Sequence, residues 1–126
     1  MPILKVRALP QKDSSLIPIA IKQTTQAIAE HCKCQPSNVW IIWEELKPNS
    51  YFEGAQPAQE QPDNTHPPLA ELTCFEGLSP AAIEELLAIT AKTLCESLKL
   101  KNNIFISYHE VKSGQVIAGD SVVRKN

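Results

Sequence analysis

No apolar run in this sequence approaches the length of a membrane span, and its start lacks the charged-then-apolar layout of a secretory signal. These absences remove a membrane from the expected partners and make the cytoplasm the default location. The net charge is only -2, so nothing announces nucleic acid. Trp40, Trp43, Tyr51 and Phe52 could stack on bases, but the basic groove that would hold a backbone is missing. The four cysteines have no C-x-x-C spacing. His31-Cys32-Lys33-Cys34 lacks a second ligand pair at suitable separation, because Cys74 and Cys95 stand alone. No metal site is expected, and a chain of 126 residues with a good core needs no disulfide staples, so the thiols read as reduced.

What is present is ordinary apolar content for one domain spanning residues 1–126. Met1-Pro2 opens a short run in which Leu4, Val6 and Ala8 alternate with Ile3, Lys5 and Arg7, the two-residue period of a strand. Proline is tolerated at a strand's first position because it has no donor to contribute. Pro2 therefore either caps an edge strand or, with the methionine removed, presents a rigid secondary amine able to act as a base. From Leu16 to about Lys33, apolar residues recur at intervals of three and four, predicting a helix with Pro18 in its first turn. Val39-Trp40-Ile41-Ile42-Trp43 is bulky on both parities, predicting a strand covered on both faces.

The arrangement then repeats. Residues 47–67 form a proline-rich loop, either functional or mobile. A strand follows at 68–75, then a helix capped by Ser79-Pro80 and running to about Leu98, then a strand at 103–111. Residues 103–111 lie over 38–46 without a gap, marking a duplication of two β-α-β halves, 2–46 and 68–111. Right-handed crossovers make each half's strands parallel. The expected fold class is α+β: a four-stranded mixed sheet with two helices on one face. The other face has no cover from its own chain, so an oligomer is predicted. Residues 112–120 read as a turn and a short strand reaching to a neighbour's sheet edge, within a C-terminal hairpin or tail of residues 112–126.

The Met1-Pro2 strand, the duplicated halves, the Pro36-Ser37-Asn38-Val39 approach to the second strand and the Glu44-Glu45-Leu46 to Gly54 exit together resemble the tautomerase superfamily, in its form with two fused halves. That resemblance implies a cofactor-free homotrimer acting on a small-molecule enol or 2-keto acid, with the freed Pro2 amine as general base in keto-enol or allylic isomerisation. Such an amine must shed its proton at neutral pH, so its pKa has to fall by about one unit or more, each unit being about 1.4 kcal/mol. Lys12 stands in the loop where family members often carry an arginine for the substrate carboxylate; it supplies charge without the bidentate fork. Tyr51, Phe52 and Phe105 are expected to shape the pocket, partly from a neighbouring chain.

The departures from the family pattern are equally specific. Trp40 replaces a second substrate arginine, Phe105 replaces a tyrosine contributed across the subunit interface, Ser107 replaces the amide two residues on, and Tyr108 has the opposite parity. The pocket is therefore expected to be apolar and to favour an aromatic or monocarboxylic enol over a dicarboxylate. Arg7 is expected to line the trimer interior. Of the histidines, His66 lies in the loop without a local partner, and His109, alternating with Phe105 and Ser107, is the better site candidate. Glu44 and Glu45 point to opposite faces and cannot act as a pair. The competing reading is a trimeric binding or scaffold protein that kept the fold and lost the chemistry.

Overall fold

The computed structural model of the chain describes residues 2–125, and the expected loss of Met1 lies outside them. Strand β1 (Ile3–Ala8) buries Leu4, Val6 and Ala8 and exposes Lys5 and Arg7, as the alternation requires. Helix α1 (Leu16–Cys32) follows and buries Ala20, Thr24 and Ile28, one residue per turn on a single stripe, with Ala29 beside the last of them. It ends at Lys33 in the left-handed conformation (φ 54°), with the amides of Lys33 and Cys34 folded back onto its last turn. A 3-10 turn at Pro36–Asn38 leads into β2 (Trp40–Glu45), parallel to β1.

The second unit repeats these steps. Strand β5 (Leu69–Phe75) comes after the loop, whose own short strands are β3 (Phe52–Glu53) and β4 (Gln56–Pro57). Helix α2 (Pro80–Leu98) is capped by Ser79, whose hydroxyl accepts from the Ala82 amide at 3.1 Å. It ends at Lys99, again left-handed (φ 58°), before β6 (Phe105–Val111). The sheet order is β2-β1-β5-β6, parallel within each unit and antiparallel between β1 and β5. Leu4, Val6, Leu72, Leu86, Leu94 and Ile28 form the core between sheet and helices.

Both helices lie on one face, so the opposite face is bare. Its rows run Trp40-Ile3-Thr73-His109, then Ile42-Lys5-Glu71-Ser107, then Glu44-Arg7-Leu69-Phe105. Trp40, Ile42, Leu69 and Phe105 are exposed by 40–57% there. Strand β2, expected to be covered on both sides, is covered in the protomer only on the side of Ile41 and Trp43. No helix among the described residues is long and apolar enough to cross a membrane.

Two expectations for the loops need correction. The 47–67 loop folds into a β3–β4 hairpin about Gly54 (φ 62°) and is tied to the body by the Gln61 amide donating to the Pro10 carbonyl at 2.9 Å. His66 has local partners after all: it is buried, its Nε2 lies 2.7 Å from the Gln56 carbonyl, its Nδ1 lies 2.9 Å from Thr65 Oγ1, and its amide donates to Glu53. Satisfied hydrogen bonds allow these polar groups to be buried without penalty. The tail holds two short strands, β7 (Val116–Ala118) and β8 (Ser121–Val123), which pair with each other and, among the described residues, with no strand of the main sheet.

Candidate functional site

Pro2 is buried at the start of β1, and its carbonyl accepts from the Trp40 amide at 3.0 Å. The sheet therefore holds this residue through its oxygen and leaves its nitrogen outside the ladder. Its parity is that of Leu4, toward the helix side, and one step beyond the Ile3–Thr73 pair it comes opposite Cys74. Buried Val39 and Cys74 flank it, while Cys32, Cys34 and Tyr108 pack against the same cluster. This surrounding is weakly polar. Burial pushes the Cys32 thiol up to about 11 and raises the Cys74 thiol and the Tyr108 phenol above their ordinary values. The Tyr108 hydroxyl is buried beside the Cys74 thiol.

The second unit reproduces this opening: the Phe105 amide donates to the Pro68 carbonyl at 3.0 Å, and Pro68 is fully buried. Pro68 is thus the counterpart of Pro2, with its nitrogen acylated by Pro67. Sequence reasoning missed this pair, because extending the 38–46 over 103–111 alignment without a gap sets Pro2 over Pro67, one residue short.

The other candidate residues do not gather around Pro2 within one protomer. Arg7, level with Leu69 and Phe105, is five residues along from Pro2, about 17 Å at strand rise. Phe105 lies at that far end on the bare face, 57% exposed. Lys12 is farther still, beyond the end of β1. Its Nζ lies 3.4 Å from Asp63, and it lines a cavity of about 180 Å³ with Gln11, Asp13, Leu16 and Lys99. Tyr51 donates its hydroxyl to the Pro67 carbonyl at 2.8 Å and stacks edge-on against His66, so its polar tip is engaged inside the loop. Phe52, on β3, is exposed. Arg7 is on the bare face as expected, with Glu44 3.1 Å away.

Among the described residues, cavities open beside Lys12, on the bare face between Lys5 and Phe105, and as a groove at the C-terminal end of α1 lined by Ala29, Glu30, Lys33 and Cys34; Pro2 is not among the residues lining these. A crossover helix runs back along its strand, so the last of these is at Pro2's end of the sheet. Sequence reasoning did not single out Lys33, which has a left-handed backbone at the helix end and lines this groove.

No protein-family model matches the chain, and no curated protein matches it by sequence. Solved structures do. The R7 fused 4-OT wild-type asymmetric trimer superposes with a TM-score of 0.82 at 16% identity, covering 95% of this chain and 94% of that one. Pt0534 inactivated by 2-oxo-3-pentynoate gives 0.80 at 14% identity, over 97% and 94%. MIF2 of Leishmania major gives 0.67 at 12% identity, over 99% and 97%. The matches run across both β-α-β units and the sheet that joins them, and on that ground the chain has the fold of the tautomerase superfamily, in its fused two-unit form.

Proposed function

We propose that the protein is a cofactor-free tautomerase that moves a proton between carbon and oxygen of a small enol or 2-keto acid, with the freed amine of Pro2 as the base. The observation that carries this reading is Pro2 itself: buried, anchored by its carbonyl alone, and flanked by Val39 and thiols. A neutral secondary amine there takes the proton from the carbon next to the carbonyl. The electron pair moves onto oxygen, and the same nitrogen, now protonated, returns the proton to the other end of the enolate. Atoms and charge balance without a co-reactant.

The distance between Pro2 and the Lys12 and Phe105 end of the sheet requires that a complete pocket draw on more than one chain. A homotrimer supplies this by covering the bare face, and the fused 4-OT structures similar to this chain are described as trimers. In such an assembly Lys12 anchors the carboxylate of a monoacid, while Phe52 and Phe105 furnish apolar walls. Four free cysteines suit a reducing compartment such as the cytoplasm.

The test is ketonisation of phenylenolpyruvate by protein whose intact mass shows that Met1 is gone. The expected result is turnover that Pro2→Ala reduces by two orders of magnitude or more, the share typical of a positioned base. Equal rates for the two proteins select the second reading, a binding or scaffold protein. One observation favours that alternative: Lys12 and Arg7 each have a carboxylate within 3.4 Å, which compensates the charge a substrate anion would need.

A further inference from the structure

The cavity of about 180 Å³ at the end of the sheet away from Pro2 lies where the loop after β1 meets the end of α2, between Gln11, Asp13 and Leu16 on one side and Leu98, Lys99 and Leu100 on the other. Lys99 and Leu100 stand in the second unit where Lys33 and Cys34 stand in the first: each lysine ends its helix in the left-handed conformation, and each pair lines a cavity. The duplication has thus kept a cavity in both units. At the second unit's end the proline, Pro68, has an acylated nitrogen, so a molecule bound nearby meets no free proline amine to exchange a proton with.

The lining divides into three kinds of group. Leu98 is buried and Leu16 and Leu100 half-buried, which gives an apolar floor. Asp13 takes both of its Ser15 hydrogen bonds on one carboxylate oxygen and leaves the other open. Gln11 is fixed by donating to the Leu9 carbonyl at 2.9 Å and to buried Gln61 at 3.3 Å, so its own carbonyl oxygen is left to accept. Lys12 is taken by Asp63 at 3.4 Å. The hydrogen bonds from Ser15 hold the Asp13 carboxyl below its ordinary value, and the Lys99 ammonium adds to this from its side of the cavity. Among the described residues, however, Lys99 and Asp13 do not close into an ion pair.

An open cation-anion pair above an apolar floor selects a particular chemistry. A simple carboxylate would satisfy Lys99 and face the Asp13 charge unpaired, whereas a zwitterion satisfies both. The volume sets the size. It is smaller than the roughly 300–1,000 Å³ pockets that take drug-sized molecules, which leaves room for a single amino acid.

We propose that this cavity is a second small-molecule site that binds a free aliphatic α-amino acid, its carboxylate on Lys99, its ammonium on Asp13 and the Gln11 carbonyl oxygen, and its side chain against Leu16, Leu98 and Leu100. The site is separate from the Pro2 pocket and does not depend on the tautomerase reading. Lys12 stays with Asp63 and is not needed by the ligand.

The test is a titration of L-leucine into the full chain, followed by calorimetry and by the methyl NMR signals of Leu16, Leu98 and Leu100. The expected result is saturable binding of one leucine per chain, with the largest shifts on those three residues. Two analogues separate the ends of the molecule: 4-methyl-2-oxopentanoate lacks the ammonium and leucinamide lacks the carboxylate, and each should bind at least tenfold more weakly. Lys99→Gln and Asp13→Asn, the second of which keeps an oxygen for the Ser15 bonds, should weaken leucine binding tenfold or more, with circular dichroism confirming the fold of each. Should a variant fail to fold, the analogue series on the parent protein still decides. No saturation by leucine in the millimolar range, an analogue that binds as well as leucine, shifts centred elsewhere in the chain, or a folded variant that binds leucine like the parent overturns the proposal.

Discussion

Replacing Phe105 with threonine tests whether the bare face is an interface, and its size can be worked from the structure. A phenylalanine side chain presents about 200 Å², and Phe105 is 57% exposed in the protomer, leaving about 100 Å² for a partner to cover. At about 25 cal/mol per Å² this is about 2.5 kcal/mol, of which threonine's own methyl recovers a part, so about 2 kcal/mol is lost per protomer. For the proposed homotrimer the three protomers together lose about 6 kcal/mol, or about four orders of magnitude in its dissociation constant at 1.4 kcal/mol per decade. Threonine keeps the β-branched preference for a strand, so the protomer itself is expected to survive. Sedimentation equilibrium across a concentration series reads the difference directly. The reasoning fails if parent and variant have the same mass at every concentration, or if the variant instead unfolds at lower urea with its assembly intact, which would place Phe105 in the protomer's own core.

Three further outcomes follow from local contacts. Ser79→Ala, which removes the acceptor for the Ala82 amide, lowers stability by about 1 kcal/mol in urea unfolding, whereas Ser15→Ala at the start of α1, where no side-chain cap bond exists, costs less. Leu86→Ala in the fully buried core costs about 2–5 kcal/mol by the same measurement, and a value below 1 kcal/mol would show that the helix is not packed as described. The raised thiols have an alkaline signature. The fold favours the protonated form of Cys32, so its contribution is complete below the ordinary thiol value of 9.0 and is lost as pH climbs through about 11. Unfolding free energies at pH 8 and pH 10.5 should therefore fall less in Cys32→Ala than in the parent, and equal falls would refute the assignment.

The sequence made the two β-α-β units legible because their signals are local. The Leu4-Val6-Ala8 alternation and the Ala20-Thr24-Ile28 stripe each follow from one element's own period. The bare face was legible too, through apolar Trp40 and Ile42 on a parity that no helix of the chain could cover. What stayed hidden depends on distant partners. Nothing near Lys12 in the chain announces Asp63, and nothing near Tyr51 announces the Pro67 carbonyl that takes its hydroxyl. The burial of Gln61 and His66 contradicts their polarity and is explained only by the carbonyls they meet once the loop is folded. The hairpin about Gly54 escaped notice because strands of two residues are too short to show a period. For the candidate site, Pro2 was singled out by its position, while the separation of Pro2 from Phe105 by most of a strand required the register.

The central claim is that Pro2 carries a neutral amine in an apolar pocket completed by a second chain. Labelling with 2-oxo-3-pentynoate, the compound that inactivates the structurally similar Pt0534, tests it most directly, because a neutral secondary amine adds to an alkynyl ketone and an ammonium does not. Peptide mapping at pH 7 should find one adduct per chain, on Pro2, formed with loss of phenylenolpyruvate turnover in proportion. Label confined to the cysteines, or no adduct at Pro2 after turnover has ceased, would contradict the account.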